Sequence, residues 1–488
     1  MNFKKFDVTK TFSNERFLAE TFVNIENDNI IFNKSTELYY YSNKWVLLGK
    51  DDKYNELNLI IYNVLYKYLH NIFLNEDDHS KNKEFEKHLK FISKNTNLGF
   101  VRKTVISILY GFQQSIYFDK TNEQIYNIHF NNGVYEINNK KFRNRKKTDY
   151  VTQILDYNFI ENKDDIEQQY KEVKEVFRKI HPKEQDLKMS LSFLAYCLTG
   201  STDYHHFKMN IGYSASNGKS TEIKIHQKCF DIYTDKLDKN TFTMGYNKRH
   251  KEFHRLLTSP VRLCYCEELD QNRLDVDCIK QFVDGSTLDV EQLFGTKLKG
   301  INESKFMTTS NKDFNSYDMD KGFQRRGLVQ HYESQFLKEC LEDDNNKNIY
   351  PIDYKLEYKF NNEKYKNAYF YLLLDHYQNE LVVDQIYKDN FISINEQYDE
   401  FSSLLYEQYE KNPNCCISKE KIKSYFEQKD KKYKWARILS NLKKLGFKYD
   451  KDKQINYKKG IIIGLRELDF EGDDTDIDTD EDVNPLDL

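Results

Sequence analysis

Between Ile211 and His226 the chain reads IGYSASNGKSTEIKIH, and its segment Asn217-Gly218-Lys219-Ser220-Thr221 has the types and spacing to hold an anion. An apolar run, FKMNI, precedes it and an amphipathic run follows, so the expected order is strand, turn, then a helix starting near Lys219. In that order the free N–H groups and the positive end of the helix converge on one point. Lys219 would neutralise the β and γ phosphates of a nucleotide, and the Ser220 hydroxyl would ligate magnesium. One position departs from the phosphate-loop pattern: Tyr213 stands where its first glycine belongs, and Gly212 lies one residue earlier. Either Gly212 serves in a loop one residue longer, or Ser214 to Asn217 form the curve without it. The plain alternative is a polar loop with no ligand.

Three later stretches carry chemistry in a fixed order. VRLCYCEELD is an apolar, β-favouring run ending in Glu267 and Glu268, which puts two carboxylates at the carboxyl edge of a parallel sheet. One would hold magnesium and the other would polarise the attacking water; the expectation is Glu267 for the metal and Glu268 for the water. SKFMTTSN is a further β-like run, ending in Asn311, whose amide could orient water against a γ-phosphate. In DKGFQRRGLVQHY, Arg325 and Arg326 precede another apolar run, and an arginine there could reach a neighbouring subunit's nucleotide. Each signal alone is also what a solvated strand end or a surface arginine pair would look like.

Taken in order, Asn217 to Ser220, Glu267 with Glu268, Asn311, and Arg325 with Arg326 resemble the superfamily 3 helicases, in particular the helicase part of poxvirus-type and of phage or plasmid primase-helicases. The segment IHFNNGVYEINNKKFRNRKKTDYVTQILDYNF is similar to the domain that precedes the helicase in those proteins. The resemblance implies an ATP- and magnesium-dependent DNA helicase of a viral or mobile-element replication machinery, built on an AAA+ type core and assembled as a homohexamer. Gly212, Asn217, Gly218, Lys219, Ser220 and Thr221 would hold the nucleotide of one subunit, and the arginine would come from the next. It also implies a DNA-contacting hairpin in the interval CIKQFVDGSTLDVEQLFGTKLKGINESKF, with Lys280, Lys297 and Lys299 as candidates. Glycines flanking two lysines suit a short positive hairpin, though a plain surface turn reads the same. Two other classes stay open: an initiator or loader ATPase that binds duplex DNA without processive unwinding, and a nucleic-acid-binding scaffold with a degenerate loop.

The elements that must position these residues are legible in outline. At 488 residues, with 31% charged and 15% aromatic residues, the chain has the composition of a globular protein large enough for several domains. None of the eight cysteines stands at the two-residue spacing of a zinc knuckle. There is no apolar leader and no run long enough to span a membrane, which predicts a soluble intracellular protein of the host cytoplasm or a viral replication site. The expected fold is α/β: residues 1–165 a mainly α-helical domain, 166–345 the P-loop ATPase core, 346–400 a helical connector, 401–466 a winged helix and 467–488 a disordered acidic tail. No primase domain fits before Phe32, so priming is expected from a separate primase or polymerase.

Charge supports this division. Lys411 to Arg466 holds 17 basic and 5 acidic residues, whereas Glu467 to Leu488 holds 11 acidic residues and no basic one. In the basic module KWARILSNLKKLGFKYD sets Trp435, Ile438, Leu439, Leu442 and Leu445 on one helical face, with Gly446 as the expected cap. A preceding helix, SKEKIKSYFEQ, and a two-stranded ribbon complete a winged-helix pattern whose lysines could meet phosphate.

Overall fold

A computed structural model describes residues 14–468, apart from 34–36, 49–54, 74–78, 113, 115, 117, 120–123, 270–273, 291–297, 312–319, 341, 379, 398–399, 430–432, 446 and 456–457. Gly446, Lys297 and almost all of the acidic tail therefore lie outside the described residues.

The centre is a five-stranded sheet of β1 (Phe207–Ile211), β2 (Thr234–Lys236), β3 (Leu263–Glu267), β4 (Lys305–Ser310) and β5 (Gly327–His331). All its pairings are parallel, and the spatial order is β5-β1-β4-β3-β2. Strands buried on both faces must be apolar throughout, and β1, β4 and most of β3 and β5 are. Alternate residues divide between two cores. Leu263, Tyr265, Met307 and Leu328 face Ile223 and Ile225; Phe207, Met209, Cys264, Phe306 and Val329 face Phe253, Ile279 and Phe282.

Five helices flank the sheet: α1 (Glu167–Ile180), α2 (Glu184–Tyr196), α3 (Lys219–Cys229), α4 (Arg249–Leu257) and α5 (Val276–Val283). The helices of the expected connector also pack on this core. Tyr369, from Glu363–His376, stacks on Phe177 of α1, and Phe391, from Gln385–Gln397, meets Phe207 edge to face.

Residues 14–165 hold more helix than strand, with two small antiparallel sheets, Ile30–Phe32/Leu38–Tyr41/Trp45–Leu48 and Asn127–Phe130/Gly133–Glu136/Lys141–Arg143. Ile128, Phe130 and Phe159 share an apolar cluster with Phe177, Phe230 and Phe370, so the expected boundary at residue 165 runs through a common core. Two buried cations tie the same junction. Arg262 donates to the carbonyls of Gln124 and Asn127 at 2.6 and 2.7 Å, and Lys305 donates to the carbonyl of Thr199.

At the C-terminal end, helices Glu400–Gln408, Lys419–Lys429 and Trp435–Lys444 pack on a three-stranded antiparallel sheet. The ribbon foreseen from sequence is Lys448–Ile455 with Lys458–Glu467, and Tyr409–Ser418 adds a third strand along the latter. Ile438 and Leu442 are buried, and Trp435 and Leu445 pack partly against them.

Candidate phosphate-binding site

The turn after β1 is held from several sides. Gly212 N–H donates to the Ser310 carbonyl at 3.1 Å, and Phe336 N–H donates to the Ser216 carbonyl at 2.8 Å. Asn217 closes the curve through Nδ2 onto the Ser214 carbonyl at 2.8 Å. Gly218, at φ +90°, caps α3, so its backbone favours glycine directly. Gly212 is required by proximity instead: a Cβ there would sit 1.9 Å from Asn217 Nδ2 and 2.8 Å from Lys219 Nζ. The exposed Tyr213 ring points away and stacks on His331. Of the two readings left open by the sequence, the close approach at Gly212 is the one this geometry fits.

Lys219 turns back over the loop. Its ammonium donates to the Gly212 carbonyl, Asn217 Oδ1 and Asn311 Oδ1, each at 3.0 Å. Asn311 in turn donates through Nδ2 to Glu268 Oε1 at 3.0 Å. Burial lowers the Lys219 pKa and the Glu268 charge opposes that shift. Lys219, Asn311 and Glu268 thus form one polar chain from β1 across β4 to the end of β3. Parity explains part of it: Asn311 continues the β4 face that carries Met307, the face toward α3. Glu268 stands at φ +53°, which turns the chain just past the strand end.

Glu267 and Glu268 do not share surroundings. Glu267 Oε2 accepts from Lys236 Nζ at 2.5 Å, on the neighbouring strand β2. Lys236 carries no motif and only the β3–β2 pairing reveals it. Ser220 is exposed at the start of α3 and Thr221 is half-buried. Among the described residues no group of three or more His, Cys, Asp or Glu could hold a metal. A hydroxyl and separate carboxylates at one sheet edge are all oxygen donors, which fits magnesium taking its remaining ligands from phosphate and water.

The two arginines part company. Arg326 is buried and committed to Asp284, with Nε–Oδ1 at 2.7 Å and Nη2–Oδ2 at 2.6 Å, and to the Gly322 carbonyl at 2.5 Å. It is unavailable to another subunit, which corrects its place beside Arg325 as a finger candidate. Arg325 is exposed. The lysines differ as well. Lys280 is on α5 rather than on a hairpin, and its ammonium lies 2.7 Å from both Asp277 and Asp320, which corrects its assignment as a free DNA contact. A hairpin does exist, Thr287–Val290 paired antiparallel with Leu298–Ile301; Lys299 on it is 68% exposed, with Asp289 at 3.4 Å.

Beneath α3 lies a network that spacing did not reveal. Glu222, fully buried, accepts from Ser190 Oγ at 2.5 Å and Tyr332 OH at 2.8 Å, and contacts His181 Nε2 at 2.7 Å. Lys208 Nζ stands 3.8 Å away. Burial alone would raise the Glu222 pKa, yet Lys208 and His181 hold it down to about 2.

The parallel sheet, the lysine-bearing turn after β1 and the polar chain at its edge define an α/β protein with a ligand site at the carboxyl end of its strands. Residues 15–195 match the family model described as D5 N terminal like. No curated protein matches the chain. Among solved structures, the A-form apo C-terminal region of NrS-1 is similar with a TM-score of 0.48 at 10% identity, over 92% of this chain and 100% of that one. A further apo structure of that region gives 0.46 at 10% identity, over 93% and 100%. Among the described residues no helix is long and apolar enough to cross a membrane.

Proposed function

We propose that the chain is an ATP-dependent DNA helicase of a viral or mobile-element replication machinery, with a superfamily 3, AAA+ type core that works as a homohexamer. The observation that carries this reading is the chain Lys219–Asn311–Glu268, which joins a phosphate-loop lysine to a strand-end carboxylate through a polar amide. Lys219 is poised to exchange neutral oxygens for phosphate oxygens, Asn311 to orient a water, and Glu268 to take its proton. Magnesium held by Ser220 and Glu267 would neutralise phosphate charge. An exposed Arg325 suits a group that completes the site of a neighbouring subunit.

The rest of the nucleotide has a place to go. A cleft of about 810 Å³ adjoins Ser216, Gly218 and Thr221 and is walled by Val176, Ile180, Phe336 and Leu356, apolar surface suited to a nucleobase. Lys299 and the basic C-terminal module, read as a winged helix, supply phosphate contacts for single-stranded and duplex or forked DNA. The family-model match falls on the segment expected to precede the helicase. Strand displacement on forked DNA tests the reading: ATP-dependent displacement that Lys219→Ala abolishes supports it, and ATP turnover unaffected by Lys219→Ala removes it. DNA-stimulated turnover without displacement would favour a loader ATPase.

A further inference from the structure

Glu267 is held by a lysine that no nucleotide motif includes. Lys236 ends the edge strand β2, and its ammonium sits 2.5 Å from Glu267 Oε2. Both side chains are about half exposed, at 51% and 40%. Exposed pairs of this kind are weak, so a small displacement opens them. While the pair is closed, the ammonium occupies the carboxylate and repels any second cation brought to it.

The backbone of Lys236 is tied in turn to α4. Arg255 donates through Nη2 to the Lys236 carbonyl at 3.1 Å, and through Nε to the carboxylate of Asp235. Two residues further on, Leu257 lies against Gly300 of the hairpin, close enough that a Cβ on Gly300 would be 3.1 Å from Leu257 Cδ2. Leu288 and Val290, on the other hairpin strand, share an apolar cluster with Phe253, Leu256 and Leu257. Packed contacts therefore run from the hairpin through α4 and Arg255 to the residue that grips Glu267.

We propose that Lys236 is a positioning residue that restrains Glu267 until DNA on the hairpin shifts α4, so that this ion pair couples DNA binding to ATP turnover. The proposal rests on the helicase reading for its two ligands. The hairpin can move α4 because their apolar side chains interdigitate, and α4 can move Lys236 because Arg255 grips its carbonyl and its neighbour's carboxylate. Releasing Lys236 frees Glu267 to accept a divalent cation.

The full-length protein and its Lys236→Met, Lys236→Arg, Arg255→Ala and Lys219→Ala variants test it by two readouts. One is turnover with and without single-stranded DNA. The other, independent of turnover, is the magnesium concentration that half-saturates binding of a fluorescent non-hydrolysable ATP analogue. Lys236→Met should raise DNA-free turnover about tenfold, within the usual range of allosteric coupling, and bring the DNA stimulation ratio close to one. It should also lower the half-saturating magnesium several-fold, as DNA does for the unmodified protein, with no further shift when DNA is added. Lys236→Arg should behave as the unmodified protein, and Arg255→Ala should lose DNA stimulation. A Lys236→Met variant with unchanged DNA-free turnover and stimulation ratio, or with both lowered together, overturns the proposal. Should the Met variant not fold, full DNA stimulation in Arg255→Ala overturns it alone. Full turnover by Lys219→Ala would sink the helicase reading instead, which keeps the two failures apart.

Discussion

The Lys219 ammonium donates to the Asn311 carboxamide oxygen at 3.0 Å, although 92 residues separate them in sequence. The amide's other end reaches Glu268, so its orientation is fixed from both sides. Asn311→Ala should therefore reduce ATP turnover about 10²- to 10³-fold, the usual cost of removing one aligned polar group from a charged transition state, with little change in nucleotide affinity. Steady-state kinetics beside equilibrium binding separates the two effects.

Gly212 and Tyr213 should respond oppositely to truncation or growth. The methyl of Gly212→Ala would collide with Asn217 and Lys219, so nucleotide binding should fall more than about 100-fold, a loss of roughly 3 kcal/mol. Tyr213→Ala removes only an exposed ring stacked on His331 and should change affinity less than about threefold. Fluorescent-nucleotide titration checks both.

The adjacent arginines should separate function from stability. Arg325→Ala should abolish turnover while leaving the melting temperature unchanged. Arg326→Ala leaves the Asp284 carboxylate without its partner. Because Asp284 is about a quarter exposed, the cost should be roughly 2 kcal/mol, below that of a fully buried pair. Denaturant unfolding with single-turnover kinetics distinguishes them.

Glu222 predicts a pH dependence of stability. Its carboxyl is held at about 2 against an ordinary value of 4.5. A depressed carboxyl adds stability above its unfolded value and loses it as pH falls through the folded one, so the loss should occur between about 4.5 and 2. Glu222→Gln should flatten that part of the profile. At neutral pH it should destabilise by about 3–5 kcal/mol, because Lys208 keeps its burial and loses its counter-charge. Urea unfolding across pH measures both.

Contiguous chemistry was legible in the sequence, and partnerships across strands were not. The glycine-lysine-serine turn, the two acids and the asparagine are each written in a few consecutive residues whose apolar flanks announce a strand end. Lys236 and Glu267 meet only because β2 lies beside β3, and Arg326 is disqualified by Asp284, 42 residues away. Buried Glu222 sits at a helix position where any amphipathic pattern tolerates a carboxylate, so its partners appear only when β5 and α2 close over it. Tyr409–Ser418 escaped for another reason: YEKNPNCCIS contains a proline, lacks apolar alternation, and shifts register between Lys411 and Cys416 along its partner.

Mixing two inactive variants tests the central claim most directly. If one subunit supplies Lys219 and the next supplies Arg325, then Lys219→Ala and Arg325→Ala proteins should each be inactive alone. An equal mixture, assembled with ATP and forked DNA, should regain turnover at about a quarter of its interfaces, where both intact residues meet. No recovery in mixed rings whose assembly is verified by native mass spectrometry, or full activity of either variant alone, would contradict a nucleotide site shared between subunits.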